Sequence, residues 1–171
     1  YTEELIDYII SLNRFEIIDK FYFENHSIFY ALKKNSYIKP LPIPNQYADN
    51  KKAYKNFLEY FKGVVKRLNI LIDKNPKSNF FLFGGHIFSQ FLIYLGLNEN
   101  KINYILDNSD EKNGLRLYGS KTFVRYPKLL KDYSNATVIV FAGQYQKEIE
   151  EQIYNINPNT MFITPQNYLD I

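Results

Sequence analysis

NFFLFGGHIFSQFLIYLGLNENKINYILDN, residues 79–108, reads as strand, glycine turn, helix, strand. Residues 80–83 form a short apolar run of the kind buried on both faces of a parallel sheet. Gly84 and Gly85 let the chain turn sharply and bring backbone N–H groups close to a ligand. Phe88, Phe91, Leu92 and Leu95 repeat at helical spacing, and Gly96 ends the helix. Residues 102–106 form a second buried strand that ends on Asp107 and Asn108. Ligands of open parallel sheets sit beyond the carboxyl ends of the strands. The polar tips Gly84–Gly85–His86 and Asp107–Asn108 are therefore expected along one edge.

The pattern continues to the end of the chain. Residues 109–119 are polar and contain two glycines. Residues 121–125 read as a short strand, 127–131 as a short helix and 137–141 as another buried strand. That strand runs into Ala142 and Gly143, and a helix follows from about 145 to 154. Residues 160–163 are a last strand, with Pro165 opening a terminal helical turn. Strands that alternate with helices make an α/β fold, here a small, doubly wound, mainly parallel Rossmann-like sheet with flanking helices.

Three segments precede it. In residues 1–34, Leu5, Tyr8, Ile9 and Leu12 share a helix face, and Glu3 and Glu4 sit where the helix dipole favours negative charge. Residues 15–23 and 27–33 follow as a hairpin around Glu24 and Asn25, with His26 beside the turn. A helix and one hairpin are too little for a stable domain, so this segment is expected to be the end of a larger sheet. Residues 35–46 are a linker in which Pro40, Pro42 and Pro44 forbid helix. Residues 47–75 hold one long helix, about 40 Å at 1.5 Å per residue, with an apolar stripe from Tyr54 to Leu71. Residues 76–171 are the α/β domain.

The chain opens on Tyr1 and its one Met is Met161, so it is expected to start inside a longer gene product. Residues 1–12 are amphipathic, which excludes a signal peptide or membrane span there. The 21 basic and 18 acidic residues are well mixed, with no basic block of nucleic-acid type. With no Cys there are no disulfides, thiolate metal sites or Cys nucleophiles, which fits a cytoplasmic protein. Two distant His without clustered carboxylates give no zinc spacing. Asn, Lys and Ile are abundant, the usage of an AT-rich bacterial genome.

The glycine loop matches a dinucleotide fingerprint only in part, because Ser89 and Gln90 stand where a third glycine is needed. Asp107 could bind a ribose hydroxyl or cap the turn that follows it. His86, at a helix start, can donate to a phosphate or carboxylate or act there as a neutral group. Lys112, Arg116 and Tyr118 lie in the loop after Asn108, either to hold a phosphate or sugar diphosphate or as solvated side chains paired with Asp110 or Glu111. Gly143 and Tyr145 form the third polar strand end on the same edge, and Glu148, Glu150 and Glu151 read as the wet face of a helix.

The runs FGGHIFSQFLIYLGL, ILDNSDEKNGLRLYGS and VIVFAGQYQKEIEEQI resemble the C-terminal domain of bacterial C-methyltransferase-like proteins. Asp107, Lys112, Gly114 and Gly119 follow that family's pattern in order. Residues 1–34 resemble the last helix and strands of a class I methyltransferase domain. The resemblance implies an S-adenosylmethionine-dependent enzyme acting on a sugar or nucleotide sugar. The donor loop and a Glu-His pair of that family would lie before Tyr1, so no cofactor is expected in this chain and no catalytic residue within it. It implies a substrate-side role for Gly84, Gly85, His86, Asp107, Asn108, Lys112, Arg116, Tyr118, Gly143 and Tyr145. Two alternatives stand beside it: a stand-alone Rossmann-type nucleotide-binding or regulatory module, and a non-catalytic domain that forms a homodimer through the helix of residues 47–74.

Overall fold

The computed structural model describes residues 1–24, 27–165 and 167; Asn25 and His26 of the expected turn, and all but Asn167 after Pro165, lie outside them. The chain divides into two compact units, Tyr1–Ala53 and Tyr54–Ile171.

In the first unit, α1 spans Glu3–Leu12, and the Thr2 side chain accepts from the Leu5 N–H to cap it. Strands β1 (Phe15–Phe23) and β2 (Ser27–Lys34) form an antiparallel pair with an irregularity between Ile17 and Asp19. Lys20 on β1 reaches Glu3 at 2.5 Å and Asp7 at 2.7 Å, which fastens α1 to the hairpin. Those two hydrogen bonds, Asp7 first, raise the Lys20 pKa. No hydrophobic residue among the described part of this unit is buried; Ile18, Phe21, Phe29 and Leu32 are exposed. After Lys34 the chain turns at Ser36 and Tyr37, with Ile38 N–H bonded to Asn35 O, and runs without regular secondary structure to Gln46; the Leu41 N–H donates to Ser11 Oγ at 2.8 Å.

Helix α2 (Tyr47–Lys74) begins in the first unit and carries its buried stripe, Val64, Val65, Leu68, Leu71 and Ile72, in the second. Each fully buried apolar side chain of this size stabilises by about 1.5–3 kcal/mol. There follow β3 (Asn79–Phe83), α3 (Ile87–Tyr94), β4 (Ile102–Leu106), β5 (Val124–Arg125), β6 (Ala136–Ile139), α4 (Gln146–Ile156) and β7 (Met161–Ile163). Short 3₁₀ turns at Glu99–Lys101, Pro127–Asp132 and Gly143–Tyr145 fill the connections.

The sheet order is β5-β4-β3-β6-β7 and every pairing is parallel. This is the Rossmann-like α/β fold that the alternation of elements predicts. Side chains alternate across the sheet. Phe80, Leu82, Ile105 and Ile139 pack with α2 and α3 in one core. Phe81, Leu106, Val138 and Val140 face the other way, onto Ile153 of α4 and Leu130 of the 3₁₀ turn. Helix α3 ends in a Schellman motif, with Leu97 N–H bonded to Leu92 O and Gly96 N–H to Ile93 O. The outer edge of β7 is blunted by Asn167, whose amide donates to Phe162 O and accepts from Thr164 N–H.

The sequence expects β5 over 121–125, but only Val124 and Arg125 pair with β4. Glu99 supplies the reason. One of its oxygens accepts from Ser120 Oγ, from the backbone N–H groups of Lys121 and Thr122, and from Thr122 Oγ1. That holds residues 120–122 in a turn, and Phe123 bridges back to Arg116 while its carbonyl accepts the Ile105 N–H of β4 at 3.0 Å.

Candidate functional site

The strand order reverses at β3: the chain moves from it to β4 and β5 on one side, then returns to β6 and β7 on the other. Such a switch point opens a crevice beyond the carboxyl ends of the strands. A cleft of about 390 Å³ lies there. Phe83, Gly84 and His86 line it from the end of β3, Asp107 and Asn108 from β4, Phe141, Ala142 and Tyr145 from beyond β6, and Glu148, Ile149 and Gln152 from α4.

Two glycines shape the turn after β3. Gly84 sits at φ +101°, which disfavours any side chain, and a Cβ there would lie 2.3 Å from His86 Nε2. The imidazole is thus folded against the Gly84 backbone. Its Nδ1 accepts the Phe88 N–H at 3.2 Å and so caps α3. A ring that accepts at Nδ1 is neutral and carries its proton on Nε2. Although His86 as a whole is exposed, the tucked ring loses water, and this desolvation is the first cause of a pKa below 6.5. Lys112 nearby pushes the same way and Asp107 opposes.

Gly85 is buried for a different reason: a Cβ on it would stand 3.1 Å from Asp107 Oδ2, 3.3 Å from Lys112 and 3.4 Å from Val124. The Gly85 N–H donates to Asp107 Oδ2 at 2.6 Å, and the Ser109 N–H donates to Oδ1 at 2.9 Å. Lys112 Nζ completes the group at 3.1 Å from Oδ2. Burial by itself would raise the Asp107 pKa, but the bonds from Ser109, Lys112 and Gly85 outweigh it and hold the carboxyl below its ordinary value. Ser89, buried where a third fingerprint glycine is needed, donates from Oγ to Gly84 O.

The cleft therefore gathers Gly84, His86, Asp107, Asn108 and Tyr145 at one edge. Gly85 and Lys112 lie behind Asp107 rather than on the lining. Lys112 pairs with Asp107, not with Asp110 or Glu111; the Asp110 carboxylate accepts from Tyr126 OH. Arg116 is exposed beside its bridge to Phe123. Tyr118 lies on a separate shallow surface with Ile87 and Tyr94. Gly143, at φ +56°, opens the turn that delivers Tyr145. Gln146 braces that turn by accepting from the Ala142 N–H and donating to Glu150.

Sequence reasoning missed the α4 wall. Glu148 and Gln152 fall one turn apart, on the helix side that reads as solvated. Gln152 forms a reciprocal amide pair with Asn108, at 3.0 and 2.8 Å. The one available signal is that Glu148, Ile149 and Gln152 share a face at i, i+1, i+4 spacing. Among the described residues no group of three or more His, Cys, Asp or Glu is placed to hold a metal. No helix among them is long and apolar enough to cross a membrane.

No curated protein sequence matches the chain. The family model for the C-methyltransferase C-terminal domain matches residues 46–165, from just before α2 to just after β7. That span covers well over half of the sequence, and the chain belongs to the C-methyltransferase C-terminal domain family.

Proposed function

We propose that this chain is the substrate-side part of an S-adenosylmethionine-dependent methyltransferase, and that the switch-point cleft holds the methyl acceptor, a sugar or nucleotide sugar. The observation that carries this reading is the character of the cleft. Besides Asp107, its polar side chains are His86 with Nε2–H, the amides of Asn108 and Gln152, the Tyr145 hydroxyl and the Glu148 carboxylate. Such donors and acceptors suit a hydroxyl-rich ligand, while Phe83, Phe141 and Ile149 supply apolar walls.

The bonding of Asp107 favours the acceptor over the methyl donor as occupant of the cleft. In a nucleotide-binding sheet the acid at the end of the second strand takes the ribose hydroxyls. Here both oxygens of that acid, Asp107, are occupied from within the fold. The same commitment weighs against a stand-alone dinucleotide-binding module. This domain's contribution is positioning of the acceptor, the part of catalysis that turns an encounter into an oriented complex. The exposed apolar side chains of the β1–β2 hairpin support reading residues 1–34 as the margin of a methyltransferase sheet.

Titration of the full chain with UDP-glucose, followed by backbone amide NMR, tests the proposal. Saturable shifts at Gly84, His86 and Tyr145, undisturbed by excess S-adenosylmethionine, are expected. Shifts confined to other surfaces, or displacement by the methyl donor, would sink it.

A further inference from the structure

Asn108 follows β4 and Gln152 lies on α4, 44 positions later, yet their side chains meet at the cleft. Asn108 Nδ2 donates to Gln152 Oε1 at 3.0 Å and Gln152 Nε2 donates to Asn108 Oδ1 at 2.8 Å. Among the described residues neither amide bonds to any other group, so the pair can part without orphaning a third. Both bonds are exposed, where water competes and the net hold is weak. Phe83, Phe141 and Ile149 form the apolar wall of the same cleft, a surface suited to a flat ring.

We propose that Asn108 and Gln152 determine the specificity of this cleft by exchanging their mutual bonds for the edge of a flat lactam or imide ring, such as uracil. The inference rests on the cleft being the acceptor site. A ring that offers N–H beside C=O presents the same edge as a primary amide and can replace either partner. The imide order C=O, N–H, C=O fits two converging amides best. One amide oxygen takes the ring N–H, and the two NH₂ groups take the flanking carbonyls. Two hydrogen bonds in the free protein become three in the complex. A phosphate or an unsubstituted sugar has no such edge, so the amides would select the ring and leave the rest of the ligand to His86, Tyr145 and Glu148.

The test uses the full chain with uridine, with 3-methyluridine, whose ring N–H is blocked, and with UDP-glucose. Uridine is expected to shift the side-chain NH₂ signals of Asn108 and Gln152. It should bind about tenfold more tightly than 3-methyluridine, the equivalent of about 1.4 kcal/mol. Asn108→Ala and Gln152→Ala should each erase that preference, and Gln152→Glu, which keeps the shape and loses the donor, should weaken uridine likewise. Both residues meet at an exposed rim, so the variants should melt as wild type does. Equal affinity for the two nucleosides, or a preference that survives in the variants, overturns the proposal. UDP-glucose separates the two readings. If it shifts Gly84 and His86 with equal affinity in wild type and variants, the acceptor cleft stands and the amide role falls. If it leaves those residues unmoved, both fall.

Discussion

The backbone N–H of Gly85 donates to Asp107 Oδ2 at 2.6 Å, and this bond joins the turn after β3 to the end of β4. The geometry explains why position 85 has no side chain. A Cβ would crowd the acceptor oxygen at 3.1 Å and the Lys112 chain behind it. In this fold the acid at the second strand end has become a strut between two loops. Its charge is satisfied by two backbone donors and one lysine, so the fold itself uses the group that a nucleotide would otherwise engage.

Asp107→Asn should therefore destabilise the protein. An amide has one accepting atom, so either the Gly85 or the Ser109 N–H would face an NH₂ group. Losing a hydrogen bond to a charged group costs about 1.5–3 kcal/mol. Because the folded pKa of Asp107 lies below its ordinary value, its contribution is present above that value and is lost as pH falls through the folded one. Urea unfolding at neutral pH should show the deficit, and the gap between wild type and variant should narrow in acid. An Asn variant as stable as wild type at neutral pH would show that the strut carries no load.

Gly84 and His86 should be energetically coupled. Gly84→Ala places a Cβ 2.3 Å from Nε2, so the ring must swing off the turn and the cap on α3 is lost. Holding a non-glycine residue in that backbone region adds about 1–3 kcal/mol. His86→Ala alone should cost about 0.5–2 kcal/mol, the usual worth of an N-cap. The double variant should cost less than the sum, because the cap can be lost only once. Additive costs in denaturant titrations would mean that the imidazole does not depend on the glycine.

The parallel sheet is legible in residues 79–108, because unbroken apolar runs of strand length alternate with one helical repeat. The edge strand is less so. Residues 121–125 look like a strand, yet Glu99, more than twenty positions earlier, bends them through its carboxylate. The cleft is legible only where it is made of strand ends. Its other wall is α4, and helical periodicity marks the face that packs on the sheet, not the rim that meets a ligand. Asn108 and Gln152 carry no mark of each other in sequence. Lys112, Arg116 and Tyr118 group together as loop neighbours, but the Asp107 carboxylate draws only Lys112 inward, while Arg116 and Tyr118 stay exposed.

Glu99 should be the anchor of the loop that follows it. Its oxygen takes the Thr122 N–H at 2.8 Å and Thr122 Oγ1 at 2.9 Å, besides Ser120 and the Lys121 N–H. Burial would raise its pKa, but these donors hold it below the ordinary value. Glu99→Ala should cost about 2 kcal/mol, within the range for hydrogen bonds to a charged group. Glu99→Gln should cost less, since it keeps an acceptor oxygen. Hydrogen exchange at Lys121 and Thr122 should quicken in the Ala variant while the β3 amides stay protected. Unchanged exchange at those two amides would assign the turn to the backbone alone.

His86 should make the start of α3 sensitive to mild acid. The cap needs a lone pair on Nδ1, and protonation removes it. Desolvation of the tucked ring, then the Lys112 charge, hold the folded pKa below 6.5. The sign follows from that direction: the folded state resists protonation, so the cap's contribution is present above the unfolded value and is lost as pH falls through the folded one. Between about pH 7 and pH 5, wild type should lose more stability than His86→Asn, because Asn caps a helix without titrating. The imidazole signal that disappears in His86→Asn should titrate below 6.5 in wild type. It should move upward in Lys112→Met, where the neighbouring positive charge is gone. A His86 pKa at or above the ordinary value, or one unmoved by Lys112→Met, would show that the ring is not held against the turn.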